Sequence, residues 1–171
     1  MAVFVKQIKP KALDAQAMTA VLMAALKEVG KTLKNDFEDT TKYWKHKPKF
    51  EILADLSGPG PFVLVATDDE IYRYVNEGTK PHEIWAGAYT GKNNKRVLAF
   101  PSVFTPKTKP GSLTSGRGHK GKVDTFVPMV HHPGTEAREF DEQIEKKRDK
   151  WFKRQMEDAM KEARRASGHA I

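Results

Sequence analysis

Four of the chain's six histidines stand in segments rich in turn residues: His82 after Lys80-Pro81, His119 inside Gly116–Gly121, and the pair His131-His132 ahead of Pro133-Gly134. Imidazole can ligate a metal or move a proton near neutral pH, so these are the residues to test first for chemistry. With Glu77 or Glu83 they could be imagined as a metal set, but none has the His-Glu-x-x-His spacing that puts two imidazoles on one helix face. A nuclease would use His82 or His132 as base and Lys80 or Arg138 on phosphate, yet no cluster of carboxylates accompanies them. A further enzyme reading centres on His82 and Glu77. The run Gly116-Arg117-Gly118-His119-Lys120-Gly121 lacks the Gly-Lys-Ser/Thr ending and the strand-to-helix context of a phosphate-binding loop. From these residues neither a metal nor a cofactor site is expected.

The stretch that positions these groups is Ile71–Ile84. Ile71-Tyr72-Arg73-Tyr74-Val75 reads as a strand, because β-branched and aromatic residues favour extended backbone. Glu77-Gly78-Thr79 then reads as a forced turn, and Pro81 holds Lys80 extended ahead of His82. Gly78 and Gly134 are expected to allow the backbone shapes of the turns Glu77-Gly78-Thr79 and His132-Pro133-Gly134. His82 and His132 are expected to tie those loops together.

Around this centre the chain, 171 residues long, reads as one α+β domain, 1–171. Residues 1–11 form an arm or edge strand. Residues 12–46 form a long amphipathic helix, its apolar positions Met18, Leu22, Ala25, Val29, Leu33, Phe37 and Trp44 recurring at spacings of three, four or multiples of them. Asp14 is its N-cap or first-turn acid, and Gly30 marks a bend or a close approach of neighbouring backbone. A β-rich region, 49–130, follows. Lys49–Leu56 and Phe62–Thr67 make a hairpin across Ser57–Pro61, Ile84–Ala88 and Val97–Phe100 make a second with its tip at 90–95, and Val123–Val130 is a last strand. The sheet is expected to hold four to six mainly antiparallel strands, bracketed by the two long helices. The second of these spans 135–167, with Thr135 as N-cap, acids in the first turns, and Gly168 closing it. Trp44, Trp85 and Trp151 are expected to pack.

There is no cysteine, which excludes disulfides and thiolate chemistry. No signal peptide or membrane-spanning run is legible. Thirty Lys and Arg against twenty-two Asp and Glu give a formal charge of +8, which favours polyanionic partners or acidic protein surfaces. Five of those cations, Lys107, Lys109, Arg117, Lys120 and Lys122, fall with His119 in a long loop at 102–122 that contains no acid. Such a segment buries little apolar surface, so it is expected to stay unordered until a partner holds it: DNA, RNA or an acidic neighbouring subunit.

Three pieces in order carry a resemblance: Tyr74–His82, Val97–Pro101 and Val130–Phe140. Together they resemble the pattern of the tail-component or neck proteins of long-tailed bacteriophages, with a Glu-Gly-Thr turn followed by Pro-His, a Leu-x-Phe strand, and a His-Pro-Gly-Thr-x-x-x-x-Phe entry into the last helix. The likeness spans about residues 72–140. Members often carry Pro where this chain has Glu139, and Glu or Phe where it has Asn76. The resemblance implies a structural protein of the virion neck or tail, assembled in the bacterial host cytoplasm, that joins or completes the head-to-tail connection, and it implies no catalysis. Its implied partners are copies of itself in a ring, expected to be six-fold, the adjacent head-connector and tail proteins, and channel DNA, with no membrane. The other class to weigh is a basic nucleic-acid-binding protein, for DNA or RNA, without a virion role; its binding must weaken steeply with salt.

Overall fold

The computed structural model describes residues 12–58, 60–87 and 96–169. The N-terminal arm and the hairpin tip at 90–95 lie outside them. The element order is α1 (Ala15–Thr40), β1 (Glu51–Asp55), β2 (Phe62–Ala66), α2 (Glu70–Glu77), β3 (His82–Trp85), β4 (Leu98–Phe100), β5 (Thr125–Val127), β6 (Met129–His132) and α3 (Phe140–Ala166). The α+β class stands, but the single sheet does not. Among the described residues the strands form three separate two-stranded sheets, β1 with β2, β3 with β6, and β4 with β5. The expected partnership of 84–88 with 97–100 is replaced by two antiparallel pairings: Ile84 opposite Val130, and Ala99 opposite Phe126. The expected last strand is split between β5 and β6, with Pro128 at the break, where its missing N–H would interrupt any continuous ladder.

The chain divides into two compact units, Met1–Lys31 with Ile52–Leu64 and Asp149–Ile171, and Thr32–Glu51 with Val65–Arg148. In the first unit Asp14 caps α1, its Oδ1 accepting from the Ala17 N–H at 3.0 Å. Leu26, Val29, Ala159 and Ala163 are its buried apolar residues. Gly30 is a close-approach position: a Cβ there would run into Ile52 Cγ2 and lie 3.1 Å from Val63 Cγ2. The neighbours it admits are β-branched side chains and not backbone. The C-terminus of α3 closes as expected, with Gly168 at φ 79° and the His169 N–H reaching the Arg164 carbonyl at 3.0 Å.

The second unit is organised around rings. Phe50, Tyr72 and Phe140 are buried together, with Phe37, Trp44, Val65, Val75 and Leu113 packed against them. Tyr72 is the hub: its ring centroid lies 5.1 Å from Phe50 in an edge-on contact and 5.8 Å from Phe140. Burial, aided by the charge of Asp141, pushes its phenol well above the usual range against the opposing Thr40 contact at 3.4 Å.

That hub sits on a helix, not on the expected strand. Asp69 caps α2, its Oδ1 accepting from the Tyr72 N–H at 2.7 Å, Glu70 supplies first-turn negative charge, and Gly78 ends it. Those caps outweigh the β preference of Ile-Tyr-Arg-Tyr-Val. α1 is also shorter than 12–46, because Thr40 and Thr41 fold their hydroxyls back onto the Phe37 and Glu38 carbonyls and Trp44 turns into the core. Trp85, expected to pack, is 65% exposed.

Asp36 ties the last turns of α1 to the first of α3. Its carboxylate accepts from Arg148 Nε at 2.5 Å, Arg148 Nη2 at 2.8 Å and Lys147 Nζ at 3.0 Å. Burial pushes its pKa up, but the hydrogen bonds and charges of Arg148 and Lys147 outweigh this and hold it below the usual carboxylate value. A depressed folded-state pKa contributes stability that is present above the unfolded value and lost as pH falls through the folded one. Asp36→Asn is therefore expected to cost about 1–3 kcal/mol at neutral pH, and progressively less on acidification below the ordinary Asp range. Urea titrations of both proteins across that range check it; a penalty that is constant with pH would remove the linkage.

Candidate functional site

The turns singled out in the sequence, 56 residues apart, meet face to face. Thr79 and Thr135 form an isolated antiparallel bridge, the Thr79 N–H donating to the Thr135 carbonyl at 2.9 Å and the Thr135 N–H to the Thr79 carbonyl at 3.1 Å. The Thr135 N–H also reaches Thr79 Oγ1 at 3.0 Å. Each turn owes its approach to a glycine with positive φ. Gly78 has φ 77° and ψ 176°, a region open in practice to glycine alone, and a Cβ there would sit 2.6 Å from the Thr135 carbonyl oxygen. Gly134 has φ 91°, and its Cβ would collide with the Thr79 carbonyl oxygen. The two turns form a reciprocal clasp.

The strands next to the clasp carry it onward. β3 and β6 align His82 with His132 and Glu83 with His131. On one face the imidazoles of His82 and His132 stack, with centroids 5.1 Å apart. His82 Nδ1 lies 2.8 Å from the Lys80 carbonyl and must donate to it, whereas His132 Nδ1 accepts from the Gly134 N–H at 3.1 Å. On the other face His131 and Glu83 approach to 3.5 Å. The two histidines expected to tie the loops together hydrogen-bond only within their own turns, and what passes between them is the ring stacking. Glu77 has no hydrogen bond or ion pair with His82 among the described residues, and no group of three His, Asp or Glu gathers there in a ligand-like cluster.

Residues to which the sequence assigned no part in the turns complete the corner. The Arg138 and Glu139 N–H groups donate to the Asn76 carbonyl, both at 3.0 Å, satisfying acceptors that the end of α2 leaves open. Asn76 Oδ1 in turn accepts from the Phe140 N–H at 2.7 Å, at the start of α3. The last helix therefore begins at Phe140 and not at Thr135, because Thr135 is engaged in the clasp. Glu139 has φ 50°, the one positive φ outside glycine among the described residues. The Pro often found at this position in the resembled family could neither adopt that φ nor donate the bond.

The segment 102–122 is not an unordered loop. It continues the β4–β5 pairing as a braced arm: Ser102 donates through N and Oγ to the Asp124 carboxylate at 2.7 and 2.6 Å, Phe104 pairs with Lys120, and the Thr105 and Gly116 N–H groups reach the His119 and Lys107 carbonyls. The Ser102 bonds hold the Asp124 pKa below its usual value. A Cβ at Gly118 would sit 2.6 Å from Lys107 Cγ and 2.8 Å from the Thr105 carbonyl, so the glycine-rich run serves close approach of the arm's two sides. Its tip is docked: Leu113 packs on the aromatic core and the Tyr43 N–H donates to the buried Ser115 Oγ at 3.1 Å. Composition hid this, because the anchors are backbone groups and single residues. Lys109, Arg117, His119, Lys120 and Lys122 are exposed along the arm and Lys107 is half-buried, with the Arg117 guanidinium 5.9 Å from the Tyr43 ring centre.

The same region exposes large apolar groups. Val103 and Phe104 on the arm, Phe126 on β5 and Trp85 on β3 each leave more than half their surface open. No helix among the described residues is long and apolar enough to cross a membrane. No protein-family model, curated protein or solved structure matches the chain.

Proposed function

We propose that the protein is a structural component of a bacteriophage virion, acting at the neck or in tail completion, where its copies form a ring at the head-to-tail junction around the DNA channel. The observation that carries this reading is the clasp. Two of the three segments on which the resemblance rests, Tyr74–His82 and Val130–Phe140, interlock through Gly78, Thr79, Gly134 and Thr135, so their spacing serves one architectural corner. The role of those residues in this reading is conformational and not catalytic. The exposed Trp85, Val103, Phe104 and Phe126 add support, since ring subunits meet through two different complementary patches and apolar surface of this kind marks protein contacts.

A lysate of the phage or prophage encoding the protein, with its gene deleted, is expected to show full heads and separate tails by electron microscopy, and joined particles on complementation. Normal joined particles without the gene would overturn the role. The exposed cations of the arm favour nucleic-acid binding as the second reading, and a binding constant that falls steeply and linearly in log–log with salt is its signature.

A further inference from the structure

The second unit contains a groove of about 590 Å³ between the basic arm, α2 and the segment after α1. Its floor is apolar, formed by Trp44, Ile71, Val75, Phe104 and Pro106. Its lining also carries Lys45, Lys107, Lys120 and the buried Arg138, with His46 and His119, and no carboxylate. His46 is already paired with Asp69. The other four cations have no ion-pair partner among the described residues, although the surface elsewhere pairs its charges readily, as in Lys31–Glu28 and Lys146–Glu142. Arg138 is only 8% exposed, its Nη1 donates to the Glu136 carbonyl at 3.0 Å, and its Nε has no acceptor. A buried guanidinium with an unsatisfied donor is costly to hold unless an anion completes it.

We infer that this groove is a docking site for an acidic segment of a partner protein, which places an apolar side chain on the floor and its neighbouring carboxylates on the lysines and Arg138. Volume and lining suit such a ligand, since the site combines apolar surface with a few convergent polar groups. Charge complementarity selects the sign of the partner, and the apolar floor selects a peptide over a nucleic acid strand. Single strands are held by basic tracks with successive rings for stacking, whereas the apolar lining here is one Trp and one Phe with Ile71, Val75 and Pro106. The inference does not depend on the virion reading: joined particles from the deletion lysate would remove that role and leave this site standing.

The test is fluorescence anisotropy with the full chain and two labelled peptides, one alternating Glu with Leu and one alternating Glu with Ser. An oligothymidylate of equal length serves as competitor. The Glu–Leu peptide is expected to bind saturably and at least about tenfold more tightly than the Glu–Ser peptide. Ile71→Asp, at an exposed floor position, and the double variant Lys107→Glu/Lys120→Glu are each expected to weaken it by about tenfold or more while melting as the parent does. Equal affinity for the two peptides would reduce the site to general charge attraction and overturn the proposal. So would unchanged binding by both variants, or displacement of the peptide by an oligothymidylate that binds more tightly.

Discussion

Gly78→Val and Gly134→Val are each expected to destabilise the protein by about 3 kcal/mol or more, a fall in Tm of about 6–12 °C for a chain of this size. Two costs combine. A β-branched residue is driven into a φ of 77° or 91°, and its Cβ meets backbone that cannot move without breaking the Thr79–Thr135 bridge. At Gly78 the obstructing atoms are the Thr135 carbonyl oxygen at 2.6 Å and the Ala137 nitrogen at 2.9 Å, and neither belongs to a flexible side chain. The effects should also be non-additive, since either substitution already opens the clasp that the other would open. Gly87→Ala is the control: nothing lies within 4 Å of its Cβ position, so it should stay within about 0.5 kcal/mol of the parent. Thermal melts of the three single variants and the double variant decide it. A Gly78→Val protein that melts with the parent would show that the corner tolerates side chains, and the architectural role of the motif would go with it.

Phe140→Ala should be as severe, at about 3–5 kcal/mol in urea unfolding. Phe140 is fully buried, its ring packs 5.8 Å from that of Tyr72, and its N–H is the group that Asn76 caps. Truncation removes the apolar contact and leaves a cavity in a close-packed cluster with Phe50 and Tyr72, which relaxes only in part. Phe140→Leu keeps much of the volume and should cost less than half as much. Phe126→Ala, on the exposed side of β5, should change stability by about 0.5 kcal/mol or less. If Phe126 instead cost as much as Phe140, the exposed apolar side chains would belong to a core and would no longer support an assembly face.

Much was determined by sequence alone. The α1 periodicity, the Asp14 cap, the acids in the first turns of α3 and its Gly168 closure, the β1–β2 pairing and the positive φ of Gly78 and Gly134 all follow from local rules, because each depends on a residue and its near neighbours. The Glu77–His82 and His132–Gly134 turns could be picked out for the same reason. The caps of α2 were equally local, with Asp69 before and Gly78 after, but the β-prone run between them suggested the wrong period.

What only the tertiary structure decided depends on partners far along the chain. Thr135 does not act as an N-cap because its carbonyl accepts from the Thr79 N–H and the Arg138 N–H, which a cap there would take, goes to the Asn76 carbonyl, and Phe140 could start α3 because Asn76, 64 residues earlier, accepts its N–H. The segment 102–122 looked unable to bury itself because its composition is polar, yet its order comes from backbone bonds across the arm and from Leu113 and Ser115 at its tip. Arg138 is one basic residue among thirty in the sequence; only folding removes it from water without a carboxylate and sets it beside an apolar groove. Periodicity and turn chemistry act over a few residues and can be read from them, whereas pairing, burial and unsatisfied charge are properties of groups that the chain brings together only when it closes.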